Sequence, residues 1–562
     1  MQRKYAVDCA DVCQEAREAA RIAEERLAEL PGKAELPESL MLAFRLRDAD
    51  GYTLAMDETG AVVIEASRTR DFIAGVGALL DVLLAKDGRP AAMRIERKPA
   101  LRERIHYMPG HFGNSFEVCA SGEMRRYLED MALAGASGYG DWFDPNDMPD
   151  PYRPHVYHSS SMFLWRRKKE WLAYSAKLGL DNIVIVTPNV GFVDQMRPEW
   201  VGVRDHKLRV QGQVLCPSNP EARGVILDNQ RRLFADLRQA GIPVARIVCA
   251  PYDDGGCACA RCQPYYPVFL ALVGDIYETI RPSYPELKVD ICGWWTSDTE
   301  SAQLRAFAEG KARDWYGLFL ASAAYGVFEL PDIRSQIGGM ALGCFLHVGF
   351  SHDRRDVYIK SGVHIAPRRI RSVVRSFGAQ RCDGFVTYNE SFGDHYNTFI
   401  AGRLGWNLDA DLRDETLFYV RLMFGLSGEA AERLADVLLD MEALDEERAA
   451  SWLDTLRELK PFVRVHPTQP WAFAHIEAKA ELMALDRTIA AALAQEGGFE
   501  LALPAMRERL ARSERLWRFD YGFGVLRHIL VPRNMLPEWY VEYAAREDGG
   551  TAPSAAKLRS DA

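Results

Sequence analysis

Apolar and polar positions change period along the chain, and the changes divide it. Over the first 37 residues apolar side chains recur three and four apart, which predicts an N-terminal helix closed by Pro31 and Gly32. LMLAFRL and GYTLAMDETGAVVIEAS then alternate with period two. They predict strands joined through the turn at Asp57–Gly60. TRDFIAGVGALLDVLL predicts an amphipathic helix and AAMRIERKPAL a further strand. Together these elements predict a small α+β domain over 38–100.

From Arg104 the rhythm changes. Short apolar runs alternate with helical stretches: RIHYMPG (104–110), SGYGDWFD (137–144), NIVIVTPN (182–189), ARIVCAPYDD (245–254), KVDICGWW (288–295), WYGLFLAS (315–322), LGCFLHVGF (342–350) and GFVTYNES (384–391). Parallel strands buried on both faces read this way. Helical patterns such as SGEMRRYLEDMALAG and NPEARGVILDNQRRLFADLRQAG lie between them. Eight strands separated by helices predict an α/β fold, a (β/α)8 TIM barrel over 101–400. Beyond it Ala- and Leu-rich helical patterns predict a helical C-terminal domain over 401–545. The small, polar tail DGGTAPSAAKLRSDA predicts disorder over 546–562.

Charge narrows the function classes. The net charge of −10 speaks against nucleic acid and anionic membrane as partners. The basic run Arg166–Lys169 reads as a solvated helix face. The first thirty residues are charged throughout and lack the apolar core of a signal peptide. No stretch reaches the ~18 apolar residues of a membrane span. A cytoplasmic location is the expectation. Eleven cysteines, an odd number at irregular spacing, are not a disulfide framework.

Chemistry in such a barrel gathers at the C-terminal ends of the strands. There the sequence places His111 and Asn114 after strand one, Asp141 and Trp142 at strand two, and Asn189 at strand three. Asp253 and Asp254 end strand four, Trp294 and Trp295 strand five. His352 follows strand seven, and Tyr388 and Glu390 end strand eight. Aromatic faces suit the C–H faces of sugar rings, and carboxylates, amides and imidazoles suit their hydroxyls. Only one of the two adjacent tryptophans can face the cleft. Walker, dinucleotide-binding, HExxH and GxSxG motifs are absent. Glycosidic cleavage needs two carboxyl groups, and Asp253, Asp254 and Glu390 are the candidates. Asp-Asp-Gly-Gly also fits an Asx-capped turn, and Glu390 a salt bridge at the barrel mouth.

Cys257, Cys259 and Cys262 form a CxCxxC run just past the aspartates. Three thiolates invite a fourth ligand in a tetrahedral zinc site, and Cys216 in LCPSNP is the choice, because neighbouring loops meet at the barrel rim. Such a zinc would be structural and would pin the loop carrying Asp253 and Asp254. Three unmetallated thiols are the other reading. No organic cofactor is expected. HPTQPWAF and FDYGFG are read as packing the C-terminal helices on the barrel, with the sugar cleft or the interface of a homo-oligomer as the other readings.

GYTLAMDETGAVVIEASRTRDFIAGVGALLDVLL, with LCPSNPEAR, PYDDGGCACARC and GFVTYNESFGDHYN, resembles β-N-acetylhexosaminidase-like and α-glucuronidase-like glycoside hydrolases over roughly residues 40–430. The resemblance implies a small N-terminal domain ahead of a catalytic barrel and a carbohydrate substrate. In the hexosaminidase-like pattern Asp253 would orient the substrate's acetamido group and Asp254 would be the acid. That pattern has Glu at the second place, and Asp254 is one methylene shorter. In the α-glucuronidase-like pattern Asp254 would face Glu390 in an inverting pair. A carbohydrate-binding barrel without catalysis, and a lyase or isomerase using the same carboxylates, are the alternatives of other classes.

Overall fold

The computed structural model describes residues 6–29, 39–58, 60–85, 94–110, 114–145, 148–153, 160–204, 213–251, 255–294, 296–310, 315–324, 326–337, 339–349, 363–466, 468–520, 539, 542, 543 and 546. His111, Asp253, Asp254, Trp295, His352 and the tail from 547 lie outside them.

The first described element is a strand, not a helix. β1 (Ala6–Val12) pairs in parallel with β2 (Ser39–Leu46), with Cys9 opposite Leu42. Helix α1 (Arg17–Ala28) starts only where apolar residues settle three and four apart: Ala19, Ala23 and Leu27 form its buried stripe, with Ile22 beside them. The reason is local. Ala6–Val12 satisfies its backbone along the open edge of β2, a solution that helical spacing does not reveal. β3 (Tyr52–Met56), β4 (Val62–Ala66) and β5 (Arg94–Arg97) complete a five-stranded sheet of order β1-β2-β4-β3-β5. α2 (Thr69–Ala85) covers it. A Cβ at Gly77 would fall 2.2 Å from the Leu133 carbonyl oxygen, so a glycine is needed for α2 to lie against the end of the barrel helix Ser121–Leu133.

The eight apolar runs form eight parallel strands: β6 (Glu103–Tyr107), β7 (Gly138–Trp142), β8 (Asp181–Val186), β9 (Arg246–Cys249), β10 (Lys288–Cys292), β11 (Tyr316–Ala323), β12 (Ala341–His347) and β13 (Gly384–Tyr388). They close into a barrel in the order β10-β11-β12-β13-β6-β7-β8-β9. The short α3 (Ser115–Val118), α4 (Ser121–Leu133), α5 (Ser160–Lys177), α6 (Pro220–Gln239), α7 (Tyr265–Ile280), α8 (Asp298–Gly310), α9 (Pro367–Gln380) and α10 (His395–Trp406) follow the strands. Among the described residues no α-helix joins β11 to β12; only a single turn at Arg334–Gln336 lies there. Helices α11 (Leu412–Phe424), α12 (Gly428–Met441), α13 (Glu446–Leu459), α14 (Trp471–Leu493) and α15 (Gly498–Asp520) run on to residue 520. No described helix is long and apolar enough to cross a membrane.

The base of the barrel holds a buried ionic layer. Arg246 bridges Glu103 at 2.7 Å and Asp290 at 2.8 Å. Above it Ile105, Ile183, Val248, Leu318, Leu320 and Val386 fill the interior as a packed apolar core. The N-terminal unit is tied on by Arg26, which is buried and pairs with Asp130 of α4 at 2.8 Å; Asp130 in turn accepts from Gln469 at 2.7 Å.

Candidate active site

Alternation along each strand decides which side chains reach the barrel mouth. Tyr107, Trp294, Phe345, His347 and Tyr388 meet there, from four strands. The centroids of Trp294 and His347 lie 4.5 Å apart, those of Phe345 and Tyr388 5.7 Å with the rings near parallel, and those of Tyr107 and Tyr388 5.6 Å. Trp294 is the partly exposed member, and Trp142 joins the same inner cluster from β7. Together these rings make an aromatic floor above the apolar core. His347 was not singled out by sequence reasoning. Its signal was available: it is an inward position on strand seven, two residues on from Phe345.

Glu390 follows Tyr388 by two residues and is half-buried. Thr387 and Asn389 bond each other on the outer side, the Asn389 amide donating at 2.9 Å, and the alternation turns Tyr388 inward; Glu390 lies two residues beyond the strand's last residue. Asp394 fixes this strand end. Its carboxylate accepts from the backbone N–H of Glu390 at 2.6 Å and of Ser391 at 3.0 Å. The Ser391 hydroxyl accepts from Gly393 N–H at 3.0 Å. Ser391 and Asp394 thus make a capping box, a pattern that SFGD carries in the sequence.

Three expected sugar contacts are committed elsewhere. Asp141 faces outward. It accepts from the Tyr139 hydroxyl at 2.8 Å and from Trp142 N–H at 2.7 Å, and pairs with Lys168 of α5 at 3.1 Å. Burial raises its carboxyl above the ordinary range, with Lys168 pulling the other way. Asn114 is buried and donates to the Pro109 carbonyl at 2.6 Å. Asn189 is fully buried and serves the neighbouring loop. Its amide nitrogen donates to Leu215 O at 3.0 Å and Gly256 O at 2.8 Å, and its oxygen accepts from Gly256 N–H at 3.0 Å and the Tyr265 hydroxyl at 3.2 Å. After β10 the Glu300 carboxylate is engaged locally, accepting from Ser297 N–H and hydroxyl, both at 2.7 Å, at the start of α8.

The four cysteines come together. The Sγ atoms of Cys216, Cys257, Cys259 and Cys262 all lie within 4.8 Å of one another. Cys216 Sγ is 3.7 Å from both Cys259 Sγ and Cys262 Sγ. Zn–S bonds of about 2.3 Å in a tetrahedron set S···S edges of about 3.8 Å, so the thiols already hold the spacing of a four-thiolate metal site. Three of them are buried and Cys259 is partly exposed. Cys216 is positioned by the start of α6, where Asn219 caps Glu221 N–H at 2.9 Å and Pro220 takes the first helical position.

The chain has the fold of barrel glycoside hydrolases. A GH138 enzyme targeting pectin rhamnogalacturonan II superposes with a TM-score of 0.55 at 11% identity, covering 92% of this chain and 74% of its own. The structure of CpGH84D gives 0.52 at 11% identity, over 92% and 90%. A family 89 glycoside hydrolase from Clostridium perfringens in complex with PUGNAc gives 0.57 at 11% identity, over 84% and 62%. At these identities the likeness is one of fold. No family model matches the sequence, and no curated protein matches it.

Proposed function

We propose that this protein is a glycoside hydrolase that removes a terminal sugar from a small glycoside or oligosaccharide. The observation that carries the reading is the aromatic floor of Tyr107, Trp294, Phe345 and Tyr388 at the strand ends of a barrel, with the half-buried Glu390 two residues past Tyr388. Such a floor suits a sugar's apolar face, while carboxyl groups at the rim do the acid–base work. In the favoured version the reaction is β-N-acetylhexosaminidase-like. Asp253 orients the acetamido group, whose oxygen attacks the anomeric carbon, and Asp254 protonates the leaving oxygen. The paired acids at the end of the fourth strand favour it. The second version is an inverting, α-glucuronidase-like hydrolysis with Asp254 as acid and Glu390 as base. The place of Glu390, at the end of a different strand, favours that one.

In this reading the four thiols hold a structural zinc ion, and hydrolysis needs no organic cofactor. A closed four-thiolate site has no open position for water, so the metal takes no part in the chemistry. The ten cysteines whose side chains are described are free thiols, which suits a reducing, cytoplasmic setting.

The test is turnover of a panel of nitrophenyl glycosides that includes N-acetylhexosaminides and glucuronides. PUGNAc, held by the family 89 structure, is the first ligand to try. Asp254→Asn should fold and lose ~10²-fold or more in turnover, least on substrates with good leaving groups. Ligand binding with no turnover across the panel would favour a binding protein instead.

A further inference from the structure

Asp394 does more than cap a turn. In the capping box its carboxylate needs only the N–H of Ser391. The bond it accepts from Glu390 N–H, at 2.6 Å, is additional and is the shorter of the two; both run to Oδ2. The same oxygen is pressed onto strand seven. A Cβ on Gly349, two residues past the end of β12, would lie 1.9 Å from Asp394 Oδ2 and 2.8 Å from Oδ1, so the carboxylate fills the space that a side chain would take. At 1% exposure Asp394 is itself out of a sugar's reach.

The segment from Glu390 to Asp394 is gripped on its other sides as well. Trp471, the first residue of α14, stacks on Phe392 with centroids 4.9 Å and planes 6° apart. Phe392 N–H donates to the Ser115 hydroxyl at 2.8 Å, and His364 N–H to Gly393 O at 3.1 Å. The Thr398 hydroxyl donates to Asp394 O at 2.9 Å. On the strand side Val348 N–H donates to Tyr388 O at 3.1 Å and Asn389 N–H to Tyr107 O at 3.0 Å. Glu390 therefore leaves a fixed backbone, and the group that fixes its own peptide is the Asp394 carboxylate.

We propose, resting on the hydrolase reading above, that Asp394 is the positioning residue of Glu390. Seated in the space left by Gly349, its carboxylate sets the peptide from which the Glu390 side chain departs, so that the ends of strands seven and eight meet the substrate as one piece. Removing the carboxylate frees that peptide. Filling the Gly349 space displaces the carboxylate and does the same from strand seven. A reacting group misplaced by about 1 Å can cost about a hundredfold, so the effect belongs to turnover or binding and not to stability alone.

The experiment is a double-mutant cycle on the full-length protein, read in kcat and KM on the glycoside panel. Asp394→Ala and Gly349→Ala should each lower kcat/KM about tenfold or more. In a Glu390→Gln background the same changes should cost less than about threefold, because the carboxylate that they misplace is already gone. Asp394→Asn keeps an oxygen for the two N–H groups and should recover most of the loss. The loss falls in kcat if Glu390 is the base and in KM if it binds hydroxyls. Amide hydrogen exchange at Glu390 and Ser391 should rise about tenfold or more in Asp394→Ala, with β6–β9 unchanged. Should that variant fail to fold, Gly349→Ala carries the cycle and the exchange measurement. Equal losses with and without the Glu390 carboxylate would overturn the proposal, as would parent-like kcat/KM in Asp394→Ala. If no glycoside is turned over by the parent, the hydrolase reading fails by itself. The cycle is then read in affinity for the same glycosides, where coupling between Asp394 and Glu390 upholds the positioning role and its absence overturns it.

Discussion

Asn189 and Gly256 exchange a reciprocal pair of hydrogen bonds, side-chain amide to backbone, at 2.8 and 3.0 Å. The pair joins the end of β8 to the loop after β9. Asn189→Leu would fill the same space but orphan the N–H and carbonyl of Gly256 and the Leu215 carbonyl. Each buried group left unpaired costs about 1–3 kcal/mol, so a loss of about 3 kcal/mol in urea unfolding is expected. A loss under about 1 kcal/mol would mean that water replaces the amide.

Glu390 decides between the two hydrolytic mechanisms. If it is the base for water, its carboxyl group should stand roughly 6.5–9.5 Å from that of Asp254 and the first-formed anomer should be inverted. Glu390→Gln should then lower turnover ~10²-fold or more. Proton NMR of the nascent product reads the outcome. Retention, with a strict need for an N-acetyl group, would assign the reaction to acetamido assistance and leave Glu390 to bind hydroxyls.

Asp141 should matter for stability and not for sugar affinity. It and Lys168 are buried together between β7 and α5. Asp141→Asn leaves the ammonium without its counter-ion, a change that typically costs about 3–5 kcal/mol. Thermal unfolding should record the loss, while KM of the folded fraction stays within a factor of two. A selective rise in KM would return Asp141 to the cleft.

His106 sets part of the acid sensitivity. Burial lowers its imidazole to about 3, with Arg104 adding to the effect. In the unfolded chain it titrates near ~6.5. Between those values only the unfolded form takes up the proton, so stability is full above ~6.5 and falls as the pH drops towards 3, by at most about 1.4 kcal/mol per unit. His106→Asn removes this uptake. Its urea midpoint should fall less steeply between pH 6.5 and 4 than that of the parent; parallel curves would reject the assignment.

The barrel was legible because buried parallel strands write themselves as short apolar runs at helix-length intervals, and the eight runs became β6–β13. The strand Ala6–Val12 was hidden because an edge strand of seven residues, followed at once by a helix, has no period of its own. Strand-end chemistry was legible by residue type and not by direction. Asp141 and Trp142 are neighbours, yet the first meets Lys168 and the second the barrel interior. Asn189 looked like a hydroxyl binder because sequence cannot reveal that Gly256 lies within its reach. The four cysteines were legible as a group, since neighbouring loops of one rim must meet, and their sulfur atoms do converge.

The passage from β11 to β12 lacks a covering α-helix among the described residues. In its place one guanidinium, that of Arg369, reaches across from α9 to the carbonyls of Ala323, Ala324 and Val327 at 2.9, 2.7 and 3.1 Å. In the ring order this flank stands diametrically across from β7 and β8. The cylinder therefore has a seam and a keel. Ser376, which accepts from Leu330 N–H, and Arg334, which donates to the Gln380 carbonyl, share the stitching with Arg369, and inserted sequence or transient opening is absorbed most cheaply at such a side-chain seam. The thiols and the Asn189 tether lie beside the keel, so an insertion at the seam would meet neither of them.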